Sequence, residues 1–240
     1  MITSRQNALV KKIRALRDKK YRDEFGEYVA EGAKSVREAA NFGQTLTFVA
    51  ATEKGAALIG DLNLPTEILS DEVFKSVSEE VSPQGVLAIV KKPVLKQTEI
   101  IGKCVLLDGV SDPANVGAII RSAAAFGFNT VLIADGADAY SGKAVRASMG
   151  GVFRVTILSG TREEMLEKVK VPFVVADMGG TDVKNADIPE NFCLVIGNEA
   201  HGVSEKMRDL AAYTVAIPME NGMESLNAAV SAGIIMYSTR

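Results

Sequence analysis

Three stretches of this chain place polar side chains and glycines directly after or between short apolar runs. They are Asp108-Gly-Val-Ser-Asp-Pro-Ala-Asn-Val-Gly117 running on to Arg121, Ile196-Gly-Asn-Glu-Ala-His-Gly-Val-Ser204, and Ile217-Pro-Met-Glu-Asn-Gly-Met-Glu-Ser-Leu-Asn227. Ligand sites in α/β proteins gather where strands end and loops begin, so the three stretches describe one candidate site. Glu199, at a strand exit, can anchor Arg121 or polarise a hydroxyl. Arg121 lies in an otherwise apolar helix (Ile119, Ile120, Ala123, Ala124, Ala125, Phe126), and two roles fit it equally. It can snorkel, or act as a fixed fork for a phosphate or carboxylate. His201 is the only histidine and a candidate base. Nothing fixes a partner for it, so a loop histidine without chemistry is the better reading. Gly197 and Gly202 permit tight turns whose free backbone groups can grip a ligand. The chain lacks the glycine-rich dinucleotide fingerprint, the phosphate loop and the nucleophile elbow.

These side chains need a scaffold. Short Val/Ile-rich runs predict strands at Cys104–Leu107, Thr130–Ala134, Arg154–Ile157, Phe173–Ala176, Cys193–Ile196 and Thr214–Ile217. Helices fit between and after them at Asn115–Phe126, Ser141–Met149, Glu163–Val169, Ser204–Leu210 and Glu224–Tyr237. That alternation predicts an α/β fold with a mostly parallel sheet covered on both faces. Asn115 and Arg121 are about 240° apart around a helix, so Asn115 must act from the helix mouth and Arg121 from the first turns. Ser225 and Asn227 fall just inside the final helix, two residues apart, so one can face a ligand while the other caps or packs. Met223, Leu226, Ala229, Val230, Ala232, Gly233, Ile234 and Met236 make that helix apolar on most sides. In a surface position such a helix implies a partner subunit.

The first ninety or so residues predict a smaller α/β domain. A helix over residues 3–23, capped by Ser4, packs Leu9, Ile13 and Leu16. A second helix covers 31–42, with Ala33, Val36, Ala39 and Ala40 inward. Strands follow at Leu46–Ala50 and Thr66–Leu69 around a helical turn at Ala56–Gly60. Asp71–Glu80 is helical and Gly85–Val90 is a strand. The polar, proline-containing stretch after it marks a linker at 93–99, giving domains of 1–92 and 100–240.

A chain of 240 residues with 47% apolar content suits a soluble protein of one or two domains. Its longest apolar runs are interrupted well before a membrane span, and the polar N-terminus is no secretory signal. Cys104 and Cys193 sit in apolar strands, as buried free thiols of a reducing cytoplasm do. One histidine and two separated cysteines leave little for a metal site. The net charge of −3 argues against a general nucleic-acid binder. Residues 1–30 nevertheless hold eight basic side chains (Arg5, Lys11, Lys12, Arg14, Arg17, Lys19, Lys20 and Arg22) against four acids. A solvated helix face and a local RNA-docking face both explain that contrast.

The three motifs, in this order and spacing, resemble the signature motifs of the TrmH/SpoU class of RNA ribose 2'-O-methyltransferases, within the SPOUT superfamily. The resemblance covers about residues 100–240 and includes Arg146-Ala-Ser-Met-Gly150. The N-terminal half, with Ser4-Arg5-Gln-Asn7 and Glu31-Gly32-Ala33-Lys34, is similar to the L30e-like substrate-binding extension of the branch acting on 23S ribosomal RNA. Small departures are Ala114, Ala118, Ala124 and Gly142, where the family commonly has glycine, threonine, an acid and proline.

The resemblance implies a sheet whose C-terminal segment is threaded into a deep trefoil knot, an exception to the rule against knots. It implies S-adenosylmethionine as cofactor, held in the knot loops by Ile196, Gly197, Asn198, Glu199, Gly202, Ile217, Met219, Ser225, Leu226 and Asn227, largely through backbone groups. Asn115, Arg121, Glu199, Ser225 and Asn227 become the catalytic set. Arg5, Lys11, Lys12, Arg14, Lys19, Lys20, Arg22, Lys34 and Arg146 become the RNA-facing set. A homodimer is implied, joined by the first and last helices of the second domain; no metal or membrane is. The chemistry is in-line transfer of a sulfonium methyl to a ribose 2'-oxygen. Arg121 serves either as electrostatic stabiliser or as a base relayed through phosphate, free-base catalysis being costly for a guanidinium of pKa above about 12. A transfer-RNA enzyme would share the motifs. A non-catalytic L30e-like RNA-binding or ribosome-assembly protein is the competing class, and intact Arg121, Glu199 and Asn227 speak against it.

Overall fold

The computed structural model describes residues 1–94 and 99–240, so most of the expected linker at 93–99 lies outside the described residues. Along the chain run α1 (Ala8–Ala15), α2 (Lys19–Phe25), β1 (Glu27–Glu31), α3 (Ala33–Asn41), β2 (Leu46–Ala51), α4 (Glu53–Ala57), β3 (Thr66–Ile68), α5 (Asp71–Val77) and β4 (Val86–Lys91). Then come β5 (Cys104–Asp108), α6 (Pro113–Phe126), β6 (Thr130–Ala134), α7 (Gly142–Ala147), β7 (Thr156–Gly160), α8 (Arg162–Lys168), β8 (Phe173–Asp182), β9 (Cys193–Gly197), α9 (Glu205–Asp209), β10 (Ala211–Ala216) and α10 (Ala228–Ser238). Contacts group them into two units. The first holds residues 1–94 together with 140–153, and the second holds the other described residues.

The first unit is built on a four-stranded sheet of order β1-β4-β2-β3. β4 runs antiparallel to β1 and β2, and β3 parallel to β2. Val10, Ile13, Leu16, Phe74, Leu87 and Ile89 form much of its core. The expected continuous helix over 3–23 is instead two helices, because side chains offer the backbone a local alternative. Asn7, not Ser4, caps α1 by accepting the Leu9 N–H at 2.9 Å. Asp18 caps α2 by accepting the Lys20 N–H at 2.9 Å. Buried Arg22 donates to the carbonyls of Leu16 and Arg17 at 2.8 and 2.6 Å, satisfying acceptors that a helix end leaves open. Strand β1 was not among the expected elements: its alternation is short and ends in glutamates. It is nonetheless buried on both faces, with α7 packed on it and the Tyr140 ring 4.7 Å from that of Tyr28.

The second unit contains a wholly parallel six-stranded sheet of order β10-β8-β9-β5-β6-β7. β5 and β6 are buried along their whole length, which explains their uninterrupted apolar sequences. Strand order reverses between β5 and β9: β6 and β7 extend one way, β8 and β10 the other. The carboxyl ends at such a reversal open a crevice, and here Asp108 lies opposite Gly197. Cys104 and Cys193 face each other in register on these strands, both buried and free. Burial pushes the Cys193 thiol well up. Among the described residues no helix is long and apolar enough to cross a membrane.

Candidate active site

The first motif leaves β5 and opens α6. Asp112 accepts the Ala114 N–H at 2.9 Å and Pro113 occupies the first turn, where its missing N–H costs nothing. Gly127, at φ 80°, ends the helix. This start sets Asn115 in the first turn, 9% exposed, facing the crevice. The second motif leaves β9 and folds back on itself through paired bonds between the backbones of Asn198 and Gly202 (3.0 and 2.9 Å). A Cβ on Gly197 would stand 2.2 Å from the backbone of Gly202 and Val203, so only glycine permits that approach. The Asn198 side chain clamps the two loops, donating to the Gly109 carbonyl at 2.8 Å and accepting the Ala200 N–H at 2.9 Å.

The catalytic candidates Asn115, Glu199 and Asn227 form one hydrogen-bonded chain. Asn227 donates to the Asn115 carbonyl oxygen at 2.9 Å, and Asn115 donates to Glu199 Oε1 at 2.8 Å. Glu199 also accepts the N–H groups of Ser111 and Asp112, each at 3.2 Å, and the Ser111 hydroxyl at 3.1 Å. Burial works to raise the Glu199 pKa. The bonds from Asn115 and from the backbone outweigh it and hold the carboxyl down to about 2, so it is an anion at neutral pH.

Two expectations about the third motif change. The last helix starts at Ala228, not Glu224: Asn227 is its cap, accepting the Ala229 and Val230 N–H groups at 2.9 and 3.3 Å. Ser225 therefore lies in the preceding loop, exposed, with Met223 and Leu226. The early start fails because Asn227 satisfies its own helix end.

Beside this chain is a cleft of about 590 Å³. Ile196, Gly197, Asn198, Glu199, Gly202, Ile217, Met219, Ser225, Leu226 and Asn227 all line it. So do Asp177, Met178, Arg208 and Glu224, which sequence reasoning missed. The cause for Asp177 and Met178 is a break in pairing: Thr214 lies opposite Val175, yet Val215 lies opposite Thr181. Residues 176–180 have no partner in the β10 register, Ala176, Asp177 and Met178 line the cleft, and Gly179-Gly180 was the available signal. Arg208 pairs with Asp177 at 3.1 Å. Asp108 was also missed as an organiser. Buried at the end of β5, it accepts Arg162 Nε at 2.6 Å and the Ser204 N–H at 2.7 Å.

Arg121 stands apart from the chain. It is exposed on α6 and makes no hydrogen bond or ion pair among the described residues. His201 is exposed too, and among the described residues only its backbone N–H is engaged, by Asn198. α10 packs on α6, with Phe126 and Tyr237 edge to face at 5.7 Å. Its outer side leaves Val230, Ile234 and Tyr237 exposed.

Of the RNA-facing candidates in the first unit, Lys11, Lys20 and Lys34 are exposed and free of ion pairs among the described residues. Arg5 pairs with Glu72 at 2.7 Å, Lys12 with Glu27 and Lys19 with Asp23 at 2.6 Å, and Arg146 with Glu79 at 3.3 Å. Arg14 donates to Ser76 at 2.7 Å. Arg22 drops out as an RNA contact, being buried and committed to backbone carbonyls.

Residues 102–237 match the SpoU rRNA Methylase family, and residues 7–88 match the MRM3-like substrate binding domain. A 23S rRNA (guanosine(2553)-2'-O)-methyltransferase of Bacillus subtilis (strain 168) is 31% identical, covering 100% of this chain and 98% of its own length. A 23S rRNA (uridine(2479)-2'-O)-methyltransferase of Streptomyces viridochromogenes is 29% identical over 98% of this chain and 90% of its own. The solved structure of an AdoMet-bound rRNA methyltransferase from Sinorhizobium meliloti superposes with TM-score 0.87 at 30% identity, covering 100% of this chain and 96% of that one.

Proposed function

Because this chain belongs to the SpoU rRNA methylase family, we propose that it methylates a ribose 2'-hydroxyl of 23S ribosomal RNA, using S-adenosylmethionine. The observation that carries this reading is the Asn227–Asn115–Glu199 chain standing at the wall of the cleft. The cleft fits the cofactor. Its volume lies in the small-molecule range, Ile196, Ile217 and Leu226 offer apolar surface, and Gly197 lets the Gly202–Val203 backbone close against it in the cleft wall, an approach that a Cβ would block. Backbone groups around Ile196, Gly197, Ile217, Met219 and Leu226 would hold it. When bound, the cofactor supplies an electrophilic methyl on a positively charged sulfonium.

The chain's own residues then position and polarise the RNA. Arg121, a cation without a partner among the described residues, is free to meet the phosphate of the target nucleotide and to stabilise negative charge growing on the 2'-oxygen while the hydroxyl proton leaves to solvent. Because free-base catalysis is costly for a guanidinium, Arg121 acts as an electrostatic stabiliser in this reading. Asn115, Glu199 and Asn227 hold the mouth of α6 against the cofactor loops, so both reactants stay in near-attack geometry. Ser225, free in the loop before α10, orients the ribose. The N-terminal domain read from the sequence, residues 1–92 and L30e-like, docks the RNA through Lys11, Lys20 and Lys34.

The reading includes a homodimer in the cytoplasm, joined through the α6–α10 face. Supporting it are Val230, Ile234 and Tyr237, which are apolar or aromatic and exposed on an ordered helix. It includes a trefoil knot as well: β10 is an edge strand, yet the chain leaving it returns across the β9 crevice to pack α10 on α6. The test is direct. The purified protein, given methyl-labelled S-adenosylmethionine and unmodified 23S ribosomal RNA, should place label on a 2'-oxygen, mapped as a linkage resistant to alkali. Label absent from RNA, or found on a base, refutes the reading.

A further inference from the structure

The first unit exposes a group of rings its fold does not bury. Tyr21 and Phe25 stack on α2 with centroids 5.9 Å apart. Phe25, and Phe48 on β2, are each 43% exposed. Between these two phenylalanines stands Lys12, its Nζ 6.0 Å from one ring centroid and 5.8 Å from the other. The same ammonium pairs with buried Glu27 at 2.6 Å, so it is held in place instead of swinging in water. Lys20 Nζ lies 5.6 Å from the centroid of Tyr21. Lys11 and Lys20 remain exposed with no ion pair among the described residues. Of the two acids on α2, Asp23 is neutralised by Lys19 and Lys92, both at 2.6 Å, while Glu24 is exposed with no ion pair among the described residues.

A lone exposed apolar residue needs no explanation, but rings linked by lysines make a surface with two complementary properties. The ring faces suit flat π systems, and the free ammonium groups suit phosphates. Unpaired nucleotides present both, whereas a duplex hides its base faces in the stack. We propose that Tyr21, Phe25 and Phe48 form a platform on which unpaired bases of the RNA stack, with Lys11 and Lys20 drawing the flanking phosphates. Lys12 is a positioning residue: it braces two rings and does not itself reach the phosphate. The proposal rests on the reading of the chain as an RNA methyltransferase, and it names the form of RNA that the first unit takes. A protein partner would have to bring its own acids to Lys11 and Lys20, whereas an RNA strand carries a phosphate at every nucleotide.

The test uses the full chain and an end-labelled, unstructured RNA of roughly 10 nucleotides, with a duplex of the same length beside it, both read by fluorescence anisotropy. The unaltered protein should prefer the single strand. The double variant Phe25→Leu with Phe48→Leu keeps apolar volume but removes the ring faces. It should lose about tenfold or more in single-strand affinity with an unchanged circular dichroism spectrum. Phe25→Trp with Phe48→Tyr should restore it. Lys11→Ala with Lys20→Ala should instead lower the salt dependence of binding. Equal binding of duplex and single strand, or full affinity in the leucine variant, overturns the platform. A leucine variant that binds RNA normally yet fails only on protein-bearing ribosomal particles overturns it in favour of a protein contact. Methyl transfer by the unaltered protein is measured in parallel. Its absence would defeat the enzymatic reading, while the oligonucleotide comparison judges the platform separately.

Discussion

Asn115 Nδ2 donates to Glu199 Oε1 at 2.8 Å, joining side chains 84 positions apart. The bond has a fixed sense. Asn227 donates to the Asn115 carbonyl, which turns the Asn115 amide so that its NH₂ must meet an acceptor. Glu199 is that acceptor, and every other group on its carboxylate is also a donor.

Glu199→Gln would bring an amide NH₂ against these donors. We expect a loss of methyl transfer of at least tenfold in kcat/KM, and of stability by about 1 kcal/mol, checked by initial rates and thermal denaturation. The same residue sets an acid limit. Its folded pKa of about 2 lies below its ordinary value of 4.5. Its stabilisation is therefore complete above about 4.5 and disappears as pH falls toward about 2. The stability gap between the unaltered protein and Glu199→Gln should stay flat near neutrality and close only within that acid window.

Arg121→Ala should leave cofactor binding intact by calorimetry while reducing methyl transfer by about 100-fold, or roughly 2.7 kcal/mol in the barrier. Unchanged transfer would remove Arg121 from the mechanism. His201→Ala, assayed alongside, should cost little, since its ring is exposed and has no partner among the described residues.

Gly197→Ala would drive a Cβ to 2.2 Å from backbone atoms of Gly202 and Val203. Neither backbone segment can yield cheaply, so a stability loss of about 1–3 kcal/mol and much weaker binding of S-adenosylmethionine are expected. Gly102→Ala, where the added atom meets open space, is the control and should change neither.

Ile234→Glu places a charge on the outer face of α10, where Ile234 is 37% exposed. If two copies meet there, light scattering should show a shift from dimer to monomer, because an unpaired charge in an apolar interface is costly. A dimer that survives would move the interface elsewhere.

Much of the fold was legible locally. The apolar runs of β5, β6 and β9 announce buried parallel strands, and Asp112-Pro113 announces the start of α6. Errors fell where a side chain redirects the backbone. Asp18 and Arg22 divide the expected first helix, and Asn227 delays the last one. The break in pairing at 176–180 left one local signal, Gly179-Gly180, but a strand's pairing partner, more than its own composition, decides where it leaves the ladder.

By itself the sequence determined which residues stand at strand ends, which turns they make and which family of motifs they form, since these depend on periodicity and local bonding. Only the tertiary structure decided that Asn115, Glu199 and Asn227 touch, that Arg121 has no partner among the described residues, and that Arg22 is buried. Those facts depend on β5 lying beside β9 and on which carbonyls a helix break leaves open. They are long-range consequences of strand order and packing, which no local pattern of residues encodes.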